Sequence, residues 1–137
     1  KRLVKTPKIY LRDTGILHYL LAIPGWQALL GHPSLGNSWE TYVVNQVAAL
    51  LPAGYEMYFY RTHSGAEADL VLAKGGVPEI MAEIKFSTSP VLSKGFHISR
   101  QDLQTQRHFV ICPVKKPFPL QQEIEVIGLR NLEKMFD

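Results

Sequence analysis

The sequence has a single cysteine, no long apolar run and no visible signal-peptide pattern among the residues given. One cysteine excludes an internal disulfide, and the position of Cys112 between Ile111 and Pro113 predicts a buried thiol rather than a nucleophile. No apolar run approaches the roughly 20 residues that a membrane helix needs, so we expect no membrane association. The lack of a signal peptide predicts a cytoplasmic protein.

A length of 137 residues is typical of one domain and excludes a two-domain dehydrogenase or a barrel of eight βα units. With 46% hydrophobic and 20% charged residues, the composition excludes a disordered tail and a disulfide scaffold. The five histidines have neither HxxxH nor HxH spacing, which argues against a zinc site. We therefore predict one domain over residues 1–137, with a lead-in and first helix at 1–24 and a motif-bearing core at 37–112.

The net charge of +3 conceals an uneven distribution along the chain. Residues 1–15 have a net charge of +4, residues 16–84 of −4 and residues 85–116 of +5. Basic segments can form phosphate-binding surface. Ordinary solvated faces produce the same pattern, so charge alone does not decide between the two.

The spacing of apolar residues and turn residues predicts a mixed α/β layer fold. Helices are expected after an Asp13 cap, as one turn around 26–30, from Asn37 or Ser38 to about Leu51, at 93–104 and at 129–136. Strands are expected at 56–62, 68–73 and 79–87 as a meander, then at 107–112 and 123–127. Residues 9–11 are expected to form a short strand or an extended lead-in, and residues 115–120 a loop.

Polar residues interrupt two of the predicted strands. Asp69 begins an otherwise apolar strand, and Glu83 and Lys85 lie two apart in the next strand and so share a face. Two neighbouring carboxylates repel each other unless a proton or a cation intervenes. Mg²⁺, or Mn²⁺ in its place, suits one or two carboxylates with waters and a phosphate, and a lysine can orient water or stabilise a phosphoryl oxyanion. The pattern therefore predicts a metal site at Asp69 and Glu83 that cuts phosphodiesters.

Each candidate residue also has a structural interpretation. Glu40 lies three residues after Asn37, so it would be a capping-box glutamate. Asp69 would close a turn, and Glu83 and Lys85 would form a solvated cross-strand pair. Three basic residues are candidates for phosphate-backbone contacts or, alternatively, for ordinary solvated surface: Arg61, Lys94 and Arg100.

One spacing in the chain resembles the PD-(D/E)XK nuclease motif: Asp69 is followed by 13 residues and then by Glu83-Ile84-Lys85. Glu40, on the preceding helix, matches the helix carboxylate of many members of that superfamily. The proline of the motif is replaced by Ala68. The resemblance implies a restriction-endonuclease-like three-layer α/β fold in which Glu40, Asp69, Glu83 and Lys85 are catalytic.

A longer series of motifs covers nearly the whole chain. It consists of KTPKIY at 5–10, DTG at 13–15, GNSWE at 36–40, YRT at 60–62, GAEAD at 65–69 and EIK at 83–85. Together they are similar to the domain of unknown function that follows an AAA-type P-loop ATPase module in many bacterial and archaeal proteins. This chain contains no GxxxxGK[ST] and no initiator methionine. We therefore expect a C-terminal fragment of a longer chain with an upstream ATPase module as its partner.

Two functions are expected as alternatives. The first is a Mg²⁺-dependent nuclease domain, accessory to the ATPase, that cuts DNA or RNA. The second is a non-catalytic domain that binds nucleic acid or protein and regulates the ATPase. The sequence leaves the choice between DNA and RNA, and the oligomeric state, open.

Overall fold

The computed structural model describes residues 2–4 and 6–137; Lys1 and Lys5, both counted in the N-terminal basic stretch, lie outside the described residues. Its α-helices are α1 (Thr14–Leu20), α2 (Trp26–Leu30), α3 (Leu35–Leu50) and α4 (Lys94–Leu103). Its strands are β1 (Tyr55–Arg61), β2 (Glu67–Lys74), β3 (Val77–Ile84), β4 (Arg107–Ile111), β5 (Phe118–Gln121) and β6 (Ile124–Ile127). A 3₁₀ helix covers Leu129–Met135.

The six strands form one mixed sheet in the order β1-β2-β3-β4-β6-β5. Strands β1, β2 and β3 are antiparallel, β4 runs parallel to both β3 and β6, and β5 is antiparallel to β6. Gly75 and Gly76 form the turn between β2 and β3 with φ of 57° and 78°, values that favour glycine and suit a two-residue hairpin. The predicted mixed α/β architecture and its meander are confirmed.

Apolar side chains cover both faces of the sheet. One face packs Leu72 and Ile80 against Val43 and Val47 of α3, together with Leu132 of the 3₁₀ helix. The other face packs alternate strand residues against Phe96 of α4, which is fully buried. Residues that alternate along a strand point to opposite faces, so the two groups separate cleanly. The sheet therefore lies between two helical layers.

Helix α3 begins earlier than predicted. Its N-cap is Ser34 rather than Asn37 or Ser38. The hydroxyl of Ser38 is buried and lies 2.5 Å from His18 Nε2 on α1, while the Ser38 N–H already donates to the Ser34 carbonyl. A tertiary contact therefore uses the side chain that the sequence suggested as a cap. The predicted Asp13 cap of α1 is confirmed, since its Oδ1 accepts the N–H groups of Gly15 and Ile16.

Further differences from the predictions concern the end of β3, the loop at 115–120 and the type of the C-terminal helix. Strand β3 ends at Ile84 rather than Ser87, although the Lys85 N–H still donates to the Ile111 carbonyl. The predicted loop at 115–120 contains the start of β5, which tolerates Pro119 because it is an edge strand. The C-terminal helix is a 3₁₀ helix. Among residues 2–4 and 6–137, no helix has the combination of length and apolarity that crossing a bilayer requires.

Candidate functional site

A β-bulge in β2 sets the position of Asp69. Tyr58 pairs with Val71 and Tyr60 pairs with Ala68, so two residues of β2, Asp69 and Leu70, lie opposite one residue of β1. A bulge of this kind bends a strand and redirects its side chains. The carboxylate of Asp69 is thereby placed at the point where pairing between β2 and β3 ends.

The two oxygens of Asp69 have different partners. Oδ2 accepts the Ile84 N–H at 2.9 Å, and Oδ1 lies 3.6 Å from the ammonium of Lys8. Burial raises the pKa of Asp69 to about 6; the Ile84 N–H and Lys8 oppose this, and the charges of Glu40 and Glu83 add to it. The site therefore contains a carboxylate that binds a proton more tightly than a solvated aspartate does.

Glu83 is buried on β3 and is held at both oxygens. Its Oε2 accepts the N–H of Ser93, the N-cap of α4, at 3.3 Å, and its Oε1 lies 3.4 Å from the ammonium of Lys85. Lys85 also donates to the carbonyl of Val91. Glu83 and Lys85 thus lie together, as their spacing predicted, and the pair is partly buried rather than a solvated surface pair.

Glu40 extends from α3 toward the segment that precedes α1. Its Oε1 accepts a hydrogen bond from Lys8 Nζ at 3.0 Å and another from the Tyr10 hydroxyl at 2.7 Å. Burial, followed by the contact with Glu40, raises the pKa of Tyr10. The capping-box interpretation of Glu40 is wrong, because the helix begins at Leu35 and the carboxylate contacts residues far along the chain.

One cavity of about 340 Å³ brings the three predicted carboxylates together. Its lining consists of Gly36, Asn37, Glu40, Glu67, Asp69, Glu83, Ile84, Phe86 and Ser93. Lys85 reaches this acidic cavity through its contact with Glu83. The structure therefore brings Glu40, Asp69 and Glu83 from a helix and two strands to one place, with Lys85 beside them.

The donor set suits a cation that needs few protein ligands. Across residues 2–4 and 6–137, no group of three or more His, Cys, Asp or Glu side chains is arranged so that it could hold a metal ion. Mg²⁺ needs only one or two carboxylates and keeps several waters. Asp69 and Glu83 on adjacent strands meet that requirement. The Lys8 ammonium, which lies between Glu40 and Asp69, shows that positive charge is stabilised beside these carboxylates.

The predicted phosphate-contacting residues lie outside this lining. Arg61 is half-exposed, with its Nε 3.8 Å from Glu67 Oε1. Arg100 pairs with the carboxylate of Glu123, just before β6. Lys94 is exposed at the first turn of α4. Lys8 and Lys85, which pair with the carboxylates of Glu40, Asp69 and Glu83, lie outside the lining as well.

Lys8 and Tyr10 were missed as site residues, although both belong to the first of the motifs. They lie two apart in an extended segment, while Ile9 between them is 88% exposed. An extended chain directs alternate residues to the same side. That alternation, polar at 8 and 10 around an outward apolar residue, is the signal that would have identified them.

A second, apolar cavity of about 490 Å³ lies between α1, α2 and the start of α3. Trp26, Trp39 and Tyr42 line it, and Phe86 lines both this cavity and the acidic one. The His18–Ser38 contact forms a polar part of its wall. This cavity is adjacent to the acidic site but shares none of its carboxylates.

Comparison with known proteins gives a family and two relatives. The family described as Domain of unknown function (DUF4143) matches residues 35–132. Uncharacterized protein Rv2008c of Mycobacterium tuberculosis and uncharacterized protein Mb2031c of Mycobacterium bovis are each 41% identical over 127 residues. The match covers 93% of this chain but 28% of each relative, so the chain spans little more than a quarter of their length. No solved structure matches the chain.

Proposed function

Because the chain belongs to the Domain of unknown function (DUF4143) family, we propose its function from the acidic cavity: Mg²⁺-dependent hydrolysis of nucleic-acid phosphodiester bonds. The observation that carries the proposal is the meeting of Asp69 and Glu83 in one cavity, with the Lys85 ammonium 3.4 Å from Glu83. Glu40 contributes a third carboxylate from α3. Carboxylates and a lysine in this arrangement are the groups that phosphodiester hydrolysis needs.

Each side chain has a distinct role in the proposed reaction. Asp69 and Glu83 would hold Mg²⁺ or Mn²⁺, which when bound polarises a phosphoryl oxygen and lowers the pKa of water. Lys85 positions the attacking water and offsets charge that develops on the phosphate. The water oxygen bonds to phosphorus, one phosphorus–oxygen ester bond breaks, and the proton that the water loses is taken up, through solvent, by the departing oxygen. Glu40 completes the acidic wall.

We also propose that the fold is of the restriction-endonuclease-like type. The order of elements supports this: a helix that carries Glu40 precedes an antiparallel meander whose second and third strands carry Asp69 and Glu83. The meander continues into a parallel strand through a crossover that contains α4. Helical layers on both faces of the sheet agree with the three-layer architecture that the PD-(D/E)XK resemblance implies.

The partner proposed for this domain is an AAA-type ATPase module within a longer cytoplasmic chain. The resemblance of the motifs supports it. The two mycobacterial relatives have room for such a module, since nearly three-quarters of their length lies outside the match. The nuclease activity would then be accessory to ATP-driven movement.

Cleavage assays test the proposed activity. The purified protein should nick supercoiled DNA or cut labelled single-stranded RNA when Mg²⁺ or Mn²⁺ is added, and should stop when the metal is chelated. Lys85→Ala should abolish cleavage, whereas Lys116→Ala, at an exposed position, should not. Equal residual cleavage by the wild type and the Lys85 variant would identify a contaminating nuclease and reject the activity.

A non-catalytic role is the second candidate, and one observation favours it. Lys8 and Lys85 already pair with the carboxylates, so the acidic cavity is neutralised largely from within. A domain of this kind would bind nucleic acid or a protein and regulate the ATPase. Binding to DNA that weakens with salt, without any cleavage, would support this role.

A further inference from the structure

The backbone of the segment before α1 is fastened at two ends, whereas side chains hold its middle. Upstream, Leu3 forms an isolated bridge with Thr62. Downstream, the Asn45 side-chain amide donates to the carbonyls of Leu11 and Arg12 at 2.8 and 3.1 Å. Residues 6–11 between these anchors belong to neither a helix nor a strand. The middle of the segment can therefore move without breaking a ladder of backbone hydrogen bonds.

Lys8, in the middle of that segment, inserts its ammonium between two carboxylates of the acidic cavity. The Nζ atom lies 3.0 Å from Glu40 Oε1 and 3.6 Å from Asp69 Oδ1. It also lies 5.6 Å from the centre of the Phe59 ring, within the range of a cation–π contact. These three neighbours stabilise a positive charge at one point.

Lys8 faces the Asp69 oxygen that does not accept the Ile84 N–H: Oδ2 is the acceptor and Oδ1 lies 3.6 Å from the ammonium. A divalent cation that binds Asp69 through Oδ1 would share this oxygen with the ammonium. An ammonium and a divalent cation at the same carboxylate oxygen repel each other strongly, because little water separates them in a partly buried site. Occupation by one therefore opposes occupation by the other.

We propose that Lys8 is an internal counter-cation of the acidic cavity, and that a divalent cation binds only when the Lys8 ammonium is displaced from Glu40 and Asp69. This inference rests on the metal site of the proposed function and adds a residue that regulates its loading. Without metal, Lys8 keeps the carboxylates together. With metal, residues 8–10 release from the cavity while Leu3 and Asn45 keep the segment tethered.

Calorimetric titration of the purified protein with Mg²⁺ alone tests the competition. Lys8→Met preserves the length of the side chain and removes its charge, so the Kd for Mg²⁺ should fall about tenfold, which corresponds to about 1.4 kcal/mol. Lys8→Arg retains the charge, and Lys116→Met removes a charge from an exposed loop position. Both should bind Mg²⁺ as the wild type does. An unchanged or weaker affinity in Lys8→Met overturns the proposal.

Lysine labelling of the wild-type protein gives a second measurement that needs no variant to fold. Acetylation by an N-hydroxysuccinimide ester, quantified by peptide mass spectrometry, should modify Lys8 more slowly than Lys116 when Mg²⁺ is absent. Saturating Mg²⁺ should raise the rate at Lys8 several-fold and leave Lys116 unchanged. Continued protection of Lys8 when Mg²⁺ is bound shows that the two cations coexist, which rejects the displacement.

The outcomes separate this inference from the proposed function. Mg²⁺ binding that Lys8→Met leaves unaltered rejects the role of Lys8 and retains the metal site. No Mg²⁺ binding by the wild type or by Lys8→Met rejects the metal site, and the competition with it. Binding by Lys8→Met alone supports both.

Discussion

The carboxylate of Asp69 accepts the backbone N–H of Ile84 at 2.9 Å and so continues the pairing of β2 with β3 beyond its last backbone pair, Leu70 with Ala82. A side-chain oxygen here accepts an N–H that a backbone carbonyl accepts in a regular ladder. The same residue therefore has a structural task and a proposed chemical one. Substitutions can separate the two.

The structural task is tested by comparing two uncharged variants. Asp69→Asn keeps an oxygen that can accept the Ile84 N–H, whereas Asp69→Ala leaves that N–H without its partner. A buried donor that loses its acceptor costs about 1–3 kcal/mol. We expect the free energy of unfolding in urea to be lower for the alanine variant than for the asparagine variant by that amount. Equal stability of the two would show that the bond contributes nothing.

The raised pKa of Asp69 predicts a pH dependence of stability. Its folded-state value is about 6 against 3.8 for the free group, chiefly because the carboxyl is buried. An acid whose pKa is higher in the folded state binds its proton more tightly there, so it stabilises the fold at low pH and loses this contribution as pH rises. The contribution of Asp69 to the free energy of unfolding is lost between about pH 4 and about pH 6, and the full loss is about 3 kcal/mol.

Unfolding experiments in the presence of a chelator measure this dependence. Between about pH 4 and pH 7, the wild type should lose stability relative to Asp69→Asn, because the asparagine does not titrate. Glu133→Gln, at an exposed position, keeps Asp69 and serves as the control, so its stability should fall with rising pH as that of the wild type does. A constant difference between the wild type and Asp69→Asn across this range would contradict the raised pKa.

Local signals predicted much of the fold. The Asp13 cap, the Gly75-Gly76 turn and the apolar run of β4 each act over a few residues, and the structure contains all three. Features that depend on distant contacts were missed. The Ser38 side chain contacts His18, 20 residues away, instead of capping α3. Pro119 is compatible with β5 only because that strand lies at the edge of the sheet.

The candidate site divides in the same way. Glu83 and Lys85 follow from strand alternation, and a short turn places Asp69 beside them, so sequence spacing was enough. Lys8 and Tyr10 alternate with the outward Ile9, but the residue that both contact, Glu40, lies 32 and 30 positions away along the chain. No local rule fixes where such a segment crosses the fold, which is why these two residues were absent from the predicted site.

A close backbone approach predicts the effect of substituting Gly128. A Cβ at this position would lie 2.0 Å from the carbonyl oxygen of Val114, a distance that forces the backbone to shift. Gly128→Ala should lower the free energy of unfolding by about 3 kcal/mol.

Gly36 offers a matched comparison, because it lies in α3 with open space around it. Gly36→Ala should raise the free energy of unfolding by up to about 1 kcal/mol because alanine is the better helix former. Urea denaturation of both variants checks the pair, and a Gly128→Ala protein as stable as the wild type would refute the clash.

Burial of Cys112 predicts an unreactive thiol. The residue has no exposed surface, and burial raises the pKa of its thiol to about 11. Thiolate is the form that attacks disulfide reagents, so the native protein at neutral pH offers neither the reactive species nor access to it.

Ellman's reagent should therefore react with Cys112 of the folded protein only as fast as the protein opens, and the rate of this reaction should rise with sub-denaturing urea. The urea-unfolded protein should react at once and provides the reference. Rapid reaction of the folded protein, independent of urea, would show that the strand end beside Pro113 is open to solvent.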